Sequence, residues 1–460
     1  MKIFVRDRSF YKSFLSMTVI IALQNLITCA VNLADGIMIG AYSQTAMSGV
    51  AIVNQIQYLM QMLMLGTGAA IGVLGSQYWG IRQLEPVRKV TSIGLSMGVA
   101  ISVLMTVVVY FFPQQVMGLL TNEQAVIDEG SKYLVIICFS YVLFAISNNL
   151  LSALRSVETT WIGFVVNVIA LVVNIVLNYC LIFGVDVGFI HIPEMGVEGA
   201  AIATLTARAV EFVVVVIYVL CVDKKIRWRP KDLLRLDKTM FRDYIRVGLP
   251  VILANGIWGI ATSVQTAILG RLGADTIAAN SIAVTIFQVV SVVAYASGNA
   301  SAVVIGKAVG EGDIPKVKAY SKTLQIIYLM IGILSGLTLF LSRDFIISLY
   351  DVTPGAEKLS AQFITVLSLT LIGTSYQCSC LTGIVTGGGD TRFVLINDLI
   401  HQWLIVIPSA FLSAFVFGWP LWITFLCLKS DQILKCFVAV VKVNRYKWIH
   451  KLTREQETVR

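Results

Sequence analysis

Charge is scarce in this chain of 460 residues: 13% of the side chains are charged, whereas 57% are hydrophobic. Residues 36–81, 90–122 and 276–306 contain no charged side chain. A soluble core cannot absorb that much apolar sequence, so a soluble fold is excluded. Histidine is rare as well, with three residues in the chain. None of the eight cysteines has the sequence spacing of a zinc site or a redox motif. We therefore expect a membrane protein without a metal centre or organic cofactor.

The apolar segments of the sequence are long enough to cross a bilayer, which takes about 20 residues of helix. Inside lipid every backbone polar group must be bonded within the protein, and helices achieve this within a single segment. The fold class predicted is an all-α polytopic membrane protein with twelve transmembrane helices. The predicted spans are 13–38, 48–76, 90–112, 132–153, 160–183, 199–221, 244–269, 277–305, 322–341, 359–384, 393–415 and 420–441.

A faint internal repeat relates the two halves of the chain at a spacing of 230 residues. Such symmetry is typical of transporters built from two related helix bundles. The paired positions are Asn25 and Asn255, Gly40 and Gly270, Gly68 and Gly298, and Gly80 and Gly310. With six spans in each half, we predict an N-terminal six-helix lobe at 1–221, a cytoplasmic linker at 222–243, a C-terminal six-helix lobe at 244–445 and a cytoplasmic tail at 446–460.

Lysine and arginine concentrate in alternate loops, and the connector from Lys224 to Arg246 alone holds nine of them. Cytoplasmic loops carry an excess of these residues, so both termini are predicted to lie in the cytoplasm, with the chain in the cell membrane. The same rule explains the net charge of +9, and no nucleic-acid partner is expected. Because two lobes in one chain can enclose a pathway, a monomer in the lipid bilayer is expected.

Polar side chains inside the predicted spans line up on helix faces. The first span carries Asn25, Thr28, Asn32 and Asp35. At about 100° per residue these four lie within roughly 80° of the helix surface. Narrower faces recur in the fifth span at Asn167, Asn174 and Asn178, and in the second span at Asn54, Gln57 and Gln61. Amides at membrane depth either join helices or line a polar pathway, and both interpretations stay open here.

Asp35 is the only acid of the first span and has no cation at helical spacing. Intramembrane carboxylates are costly and usually mark an ion or proton pathway. We interpret Asp35 as a group that binds and releases a proton or coordinates Na⁺, the alternative being a carboxylate that only bonds neighbouring helices. Other charges are spaced to pair on one helix, as Arg208 is with Glu211 and Asp431 with Lys435.

Several segments together resemble MATE (multidrug and toxic compound extrusion) transporters, closest to the prokaryotic DinF-like branch. They are LQNLITCAVNLADGIMIGAYSQTAMSGVAIVNQI at 23–56, SQYWG at 76–80, NIVLNYCLIFG at 174–184, GVEGAAIAT at 196–204 and GGGDTRF at 387–393. The resemblance implies two lobes forming a V that export drug-like compounds in exchange for H⁺ or Na⁺. It also implies a coupling-ion cluster of Asp35, Asn174, Asn178 and Thr204, although that branch often has aspartate where this chain has Asn178.

The function expected is therefore multidrug efflux by antiport, with alternating access between two lobes and small drug-like molecules as substrates. Candidate residues of the substrate cavity are Asn25, Asn32, Asn54, Gln57, Gln61 and Asn148. One alternative is an exporter of lipid-linked precursors or metabolites from the same superfamily, which needs a strongly cationic cavity, whereas Arg208 is expected to be neutralised by Glu211. Another is an integral membrane enzyme, for which Asp398 with His401 offers the only candidate pair.

Overall fold

The computed structural model describes residues 5–187, 190–234, 237–348, 350 and 352–454, and this part of the chain is almost entirely helical. The helices are α1 Arg8–Tyr42, α2 Gln44–Gly80, α3 Leu84–Phe111, α4 Pro113–Gly118, α5 Gln124–Ile137, α6 Ser140–Ser156, α7 Trp161–Phe183, α8 Gly196–Ile217, α9 Lys238–Gly270, α10 Ala274–Glu311, α11 Ile314–Ile347, α12 Pro354–Cys378, α13 Thr391–Leu399, α14 Ile407–Phe411, α15 Leu421–Leu428 and α16 Asp431–Asn444.

Shorter elements join or extend these helices. Wider π-helical turns follow α8, α12, α13 and α14, at Tyr218–Val222, Ser379–Val385, Ile400–Val406 and Leu412–Val416. A 3₁₀ turn lies at Pro230–Leu234. Strands β1 Val185–Val187 and β2 Ile190–Ile192 form an antiparallel hairpin in which Val185 pairs with Ile192. This hairpin between α7 and α8 was not predicted from the sequence.

Ten of the described helices are long and apolar enough to cross a membrane, and there are eleven if the bent pair α5 and α6 counts as one span. The predicted all-α membrane fold is thereby confirmed. The predicted span 132–153 is not straight, because α5 and α6 meet at 51°. Thr106 of α3 donates to the carbonyl of Cys138 at 3.0 Å, which satisfies a backbone group at this break. The predicted span 420–441 corresponds to the two shorter helices α15 and α16, which are not among those eleven.

The chain divides into two compact units. The first, called unit N below, comprises Leu23–Ile71 and Leu84–Ile245. The second, called unit C, comprises Met1–Ala22, Gly72–Gln83 and Arg246–Arg460. Each unit has its own apolar core. The core of unit N includes Met60, Met64 and Tyr133, while one core of unit C surrounds Trp448 and another contains the stacked rings of Phe363 and Phe425, 4.1 Å apart.

Two glycines of the internal repeat permit close packing within unit C. A Cβ added at Gly80 of α2 would lie 2.2 Å from the carbonyl oxygen of Lys307 in α10. A Cβ added at Gly310 of α10 would lie 2.0 Å from the carbonyl oxygen of Gln77 in α2. The repeat-related glycines therefore face each other's helices. Small residues at such crossings let two backbones approach, and van der Waals packing then holds the helices together.

Gly80→Ala should lower the stability of the purified protein by about 1–3 kcal/mol, because the new methyl group meets backbone that cannot rotate away. Gly72→Ala is the matched control in the same helix, since a Cβ there has nothing within 4 Å. The control should be neutral or slightly stabilising, as alanine is the better helix former. Thermal unfolding in detergent measures both variants, and equal midpoints would contradict the packing assignment.

Candidate functional site

A chain of hydrogen-bonded side chains connects three helices of unit N. Asp35 lies on α1, Asn174 and Asn178 on α7, and Thr204 on α8. The Asn178 amide donates to Oδ1 of Asp35 and also to Oδ1 of Asn174, the latter at 3.3 Å. The Asn174 amide in turn donates to Oγ1 of Thr204 at 3.3 Å. The structure thus places these four side chains together, and they are called the Asp35 network below.

One oxygen of this network has no donor. Asn178 is fully buried, and its Oδ1 has no hydrogen-bond partner among the described residues. Leaving a buried polar atom unpaired costs about 1–3 kcal/mol, so such an atom calls for an explanation. The other groups close by are also oxygens, from the carboxylate of Asp35, the amide of Asn174 and the hydroxyl of Thr204. Oxygen donors of this kind suit a proton on the carboxylate or a hard cation.

The charges around Asp35 do not balance. Arg208 of α8 attracts the Asp35 carboxylate, but its guanidinium Nη1 already lies 2.7 Å from Oε2 of Glu211. The guanidinium also lies 4.9 Å from the ring centroid of Phe144. Glu211 is 4% exposed, whereas the side chain of Arg208 is 27% exposed. Two carboxylates face one guanidinium, which leaves one negative charge that a single monovalent cation would neutralise.

Comparison with known proteins assigns the family. The MatE family model matches residues 21–180 and 250–412, which is more than half of the chain. The chain belongs to the MatE family. The two matched ranges start 229 residues apart, in agreement with the internal repeat at 230. The resemblance to MATE transporters seen in the sequence is confirmed.

Relatives match over nearly the whole MatE chain. A probable multidrug resistance protein NorM from Thermotoga maritima is 24% identical, and the match covers 94% of this chain and 92% of that protein. A probable multidrug resistance protein NorM from Listeria monocytogenes is 25% identical, with 95% and 94% covered.

Solved structures share the fold at lower identity. A MOP superfamily transporter from Pyrococcus furiosus has a TM-score of 0.86 at 18% identity, with 97% of each chain covered. A variant of the Vibrio cholerae MATE transporter VcmN has a TM-score of 0.86 at 17% identity, with 96% of this chain and 98% of that chain covered. At these identities the likeness describes the fold alone.

The predicted substrate-cavity residues of this MatE chain lie outside the Asp35 network. In the described part of the chain none of the six bonds the network directly, and Gln57 is one side chain away from it, since Tyr133 interacts with both Gln57 and Thr204. Asn148 donates to the carbonyl of Met64 at 2.9 Å and so joins α6 to α2. Gln57 donates to Asn54 at 3.4 Å on one face of α2. The side chains of Asn32 and Asn54 are exposed, and those of Asn25, Gln57, Gln61 and Asn148 are partly exposed.

Two side chains near these positions were not identified as candidates from the sequence. Tyr133 of α5 is buried beside Thr204 and Gln57. A single tyrosine in an apolar run gives no periodic signal, and the bend after α5 was not predicted. Gln24 of α1 donates to the carbonyl of Thr160 at 2.9 Å, and Asn167 donates to the carbonyl of Gln24 at 3.4 Å. Asn167, which shares the polar face of α7, therefore serves the packing of α7 on α1.

The buried charges around Lys435 in unit C are balanced, unlike those around Asp35. Lys435 Nζ lies 2.8 Å from Asp398 and 3.5 Å from Asp431, so the predicted Asp431–Lys435 pair is confirmed. Lys429 interacts electrostatically with Asp431. Asp398 is paired with lysine, whereas Nδ1 of His401 lies 2.8 Å from the carbonyl of Asn397. Among the described residues, no group of three or more His, Cys, Asp or Glu side chains is arranged to hold a metal ion.

Asn178→Leu should destabilise the protein by about 1–2 kcal/mol, because it removes the amide that bonds Asp35. In an Asp35→Leu background the same change should cost far less, since no carboxylate is then left without a donor. Gln61→Leu, also an amide to leucine change in unit N, serves as the control and should behave alike in both backgrounds. Thermal unfolding of the full double-mutant cycle measures the coupling, and additive effects would contradict the network.

Proposed function

We propose that this chain is a secondary active multidrug efflux transporter that exports amphipathic organic compounds, often cationic ones, by antiport with H⁺ or Na⁺. Relatives over its full length carry the name of multidrug resistance proteins. The observation that carries the proposal is the Asp35 network, with its unpaired Asn178 oxygen and its unbalanced negative charge. An ion site of that composition at membrane depth is costly for structure alone and is suited to coupling.

The proposed coupling follows from the charge count. With one H⁺ or Na⁺ bound at Asp35, the charges of Asp35, Glu211 and Arg208 balance, and the network can be closed off from water at low cost. Without that cation the site carries a net negative charge, which favours an aqueous opening and attracts a cationic substrate. Ion and substrate therefore favour different states of the transporter, which is the requirement for exchange.

Particular residues take particular parts in this proposal. Asp35 holds the ion, with Asn174, Asn178 and Thr204 as oxygen donors and orienting groups. Amides on the exposed and partly exposed faces of α1, α2 and α6 would meet polar parts of the drug, and these are Asn25, Asn32, Asn54, Gln57, Gln61 and Asn148. Amides both donate and accept, so they can serve chemically different substrates.

The remaining parts of the proposal concern placement. We propose two six-helix lobes at 1–221 and 244–445, joined by the linker 222–243 and followed by the tail 446–460. Both termini would lie in the cytoplasm, since lysine and arginine concentrate on that side, and the transporter would act as a monomer in the cell membrane. Membership of the DinF-like branch stays a prediction.

Asp35→Asn should abolish ion-driven transport while leaving expression and folding intact, because the amide occupies the same volume but cannot carry the charge. The measurement is ethidium or norfloxacin transport in reconstituted vesicles, under a Na⁺ gradient or a pH gradient imposed separately. Asp128→Asn is the matched control, since Asp128 lies on an exposed face of α5, where its Oδ1 accepts a hydrogen bond from Gln124. It should transport normally.

The gradient that drives transport in the wild type would name the coupling ion. Transport by Asp35→Asn at the wild-type rate would contradict the role of Asp35. If neither gradient moved either drug in the wild type, the multidrug proposal would give way to its alternative, an exporter of lipid-linked precursors or metabolites. Product formed by the purified protein without any gradient would instead indicate an enzyme.

A further inference from the structure

A small cleft lies where α6 ends and α7 begins, in unit N and away from the Asp35 network. Its lining residues are Gln24, Leu151, Arg155, Thr159, Thr160 and Gly163. The cleft has about 190 Å³ of empty space, open solvent at its mouth included. Inside it there is room for about one water molecule or one oxygen of a larger ligand. A ligand would therefore sit in the mouth and insert a single atom.

Arg155 lines the cleft with a charge that nothing neutralises. Its guanidinium has no hydrogen-bond or ion-pair partner in the described part of the chain. Its side chain is only partly exposed, so water reaches it from one side. Arg208 in the same unit is paired with Glu211, as buried arginines usually are. Arg155 lies in the last turn of α6, where the negative end of the helix dipole favours a cation. Among the described residues, its side chain donates to none of the carbonyls of that helix.

Thr159 adds an unsatisfied hydroxyl to the same cleft. The residue is 8% exposed, and its Oγ1 has no hydrogen-bond partner among the described residues. A threonine hydroxyl is a donor as well as an acceptor. An anion in the cleft would accept from this hydroxyl and from Arg155 together, and would so remove two otherwise unexplained costs.

The first turn of α7 supplies backbone donors to the same place. Helix α7 is 23 residues long, and its N-cap residue Thr160 makes no side-chain cap to the amides of the first turn. Gly163 N donates to the carbonyl of Thr160, whereas the amides of Trp161 and Ile162 have no hydrogen-bond partner among the described residues. Free amides and the positive end of a helix dipole favour an anion.

The surroundings of the cleft hold charges of both signs, from Lys225 and Glu158, and suit the membrane surface. Lys225 Nζ donates to the carbonyl of Val157 at 2.7 Å, in the turn that carries Thr159. Glu158, the acid of this turn, takes part in an interaction of its own. Trp161 is 50% exposed and its ring meets that of Tyr218 edge-on at 5.5 Å. Exposed tryptophan and tyrosine concentrate at the level of lipid headgroups.

We propose that this cleft binds a phosphate-type oxyanion, held by Arg155, the Thr159 hydroxyl and the first-turn amides of α7. The chemistry is that of a phosphate monoester or diester, because a guanidinium, a hydroxyl and helix-terminal amides converge on it. Two sources share this chemistry, the headgroup of an anionic phospholipid and free phosphate. The site is separate from the proposed ion and drug sites and does not depend on them.

The test measures thermal unfolding of the delipidated full-length protein in detergent during titration. The probes are short-chain phosphatidylglycerol, phosphatidylcholine of equal chain length and inorganic phosphate, at constant ionic strength. Arg155→Gln removes the guanidinium, and Arg155→Lys keeps the charge but loses the fork of donors. Arg242→Gln is the matched control, since Arg242 is an exposed arginine of unit N outside the cleft.

Phosphatidylglycerol should raise the unfolding midpoint of the wild type and of Arg242→Gln saturably. The half-saturating concentration should rise about tenfold or more in Arg155→Gln, because charge-assisted bonds are lost. If inorganic phosphate alone reproduces the shift and Arg155→Gln abolishes it, the ligand is free phosphate. If Arg155→Gln does not fold, Arg155→Lys decides, with a severalfold rise expected. Three results would overturn the proposal. The first is equal half-saturation in the wild type and the Arg155 variants, and the second is no shift with any probe. The third is an equal shift with both lipids combined with no response to phosphate.

Discussion

A carboxylate in an apolar helix bundle needs donors or a cation, and the arrangement of unit N around Asp35 follows from that need. Asn178 supplies a donor from α7, and its bond to Asn174 carries the connection on to Thr204 in α8. These hydrogen bonds connect α1, α7 and α8 to a single charged group, the Asp35 carboxylate. The donors satisfy the carboxylate in part, and the Asn178 oxygen is left without a partner. The network carries one excess negative charge, which a single bound cation would neutralise.

The two units treat buried charge differently. In unit C, Lys429 and Lys435 stand against Asp398 and Asp431, and this balanced set serves as packing. Around the Asp35 network of unit N, Asp35 and Glu211 stand against Arg208. Because the internal repeat gives both units related helices, the difference lies in a few side chains and not in the fold. The Arg155 cleft is a third case, a cation without an anion, and for that reason it is assigned a ligand of opposite charge.

Much of this architecture could be predicted because lipid leaves few choices. Charge-free runs give the spans, and the periodic steps from Asn25 to Asp35 and from Asn174 to Asn178 give the faces that meet at the Asp35 network. Features that depend on tertiary contacts could not be predicted. Thr106 of α3 donates a hydrogen bond to a backbone carbonyl at the bend between α5 and α6. Asp398 pairs with Lys435 of α16, although His401 is nearer in sequence. Arg155 and Tyr133 belong to no periodic pattern of polar residues in the sequence. Only their surroundings in the structure distinguish them from other arginines and tyrosines.

The most direct measurement is the stoichiometry of cation binding by the purified protein. Radioactive Na⁺ binding and proton uptake, recorded on the same preparation in detergent, count the cations that the chain takes up. The charge balance predicts one H⁺ or one Na⁺ per wild-type chain, competing for one place, and none in Asp35→Asn. Undiminished binding in that variant, or two independent cations per wild-type chain, would contradict the account.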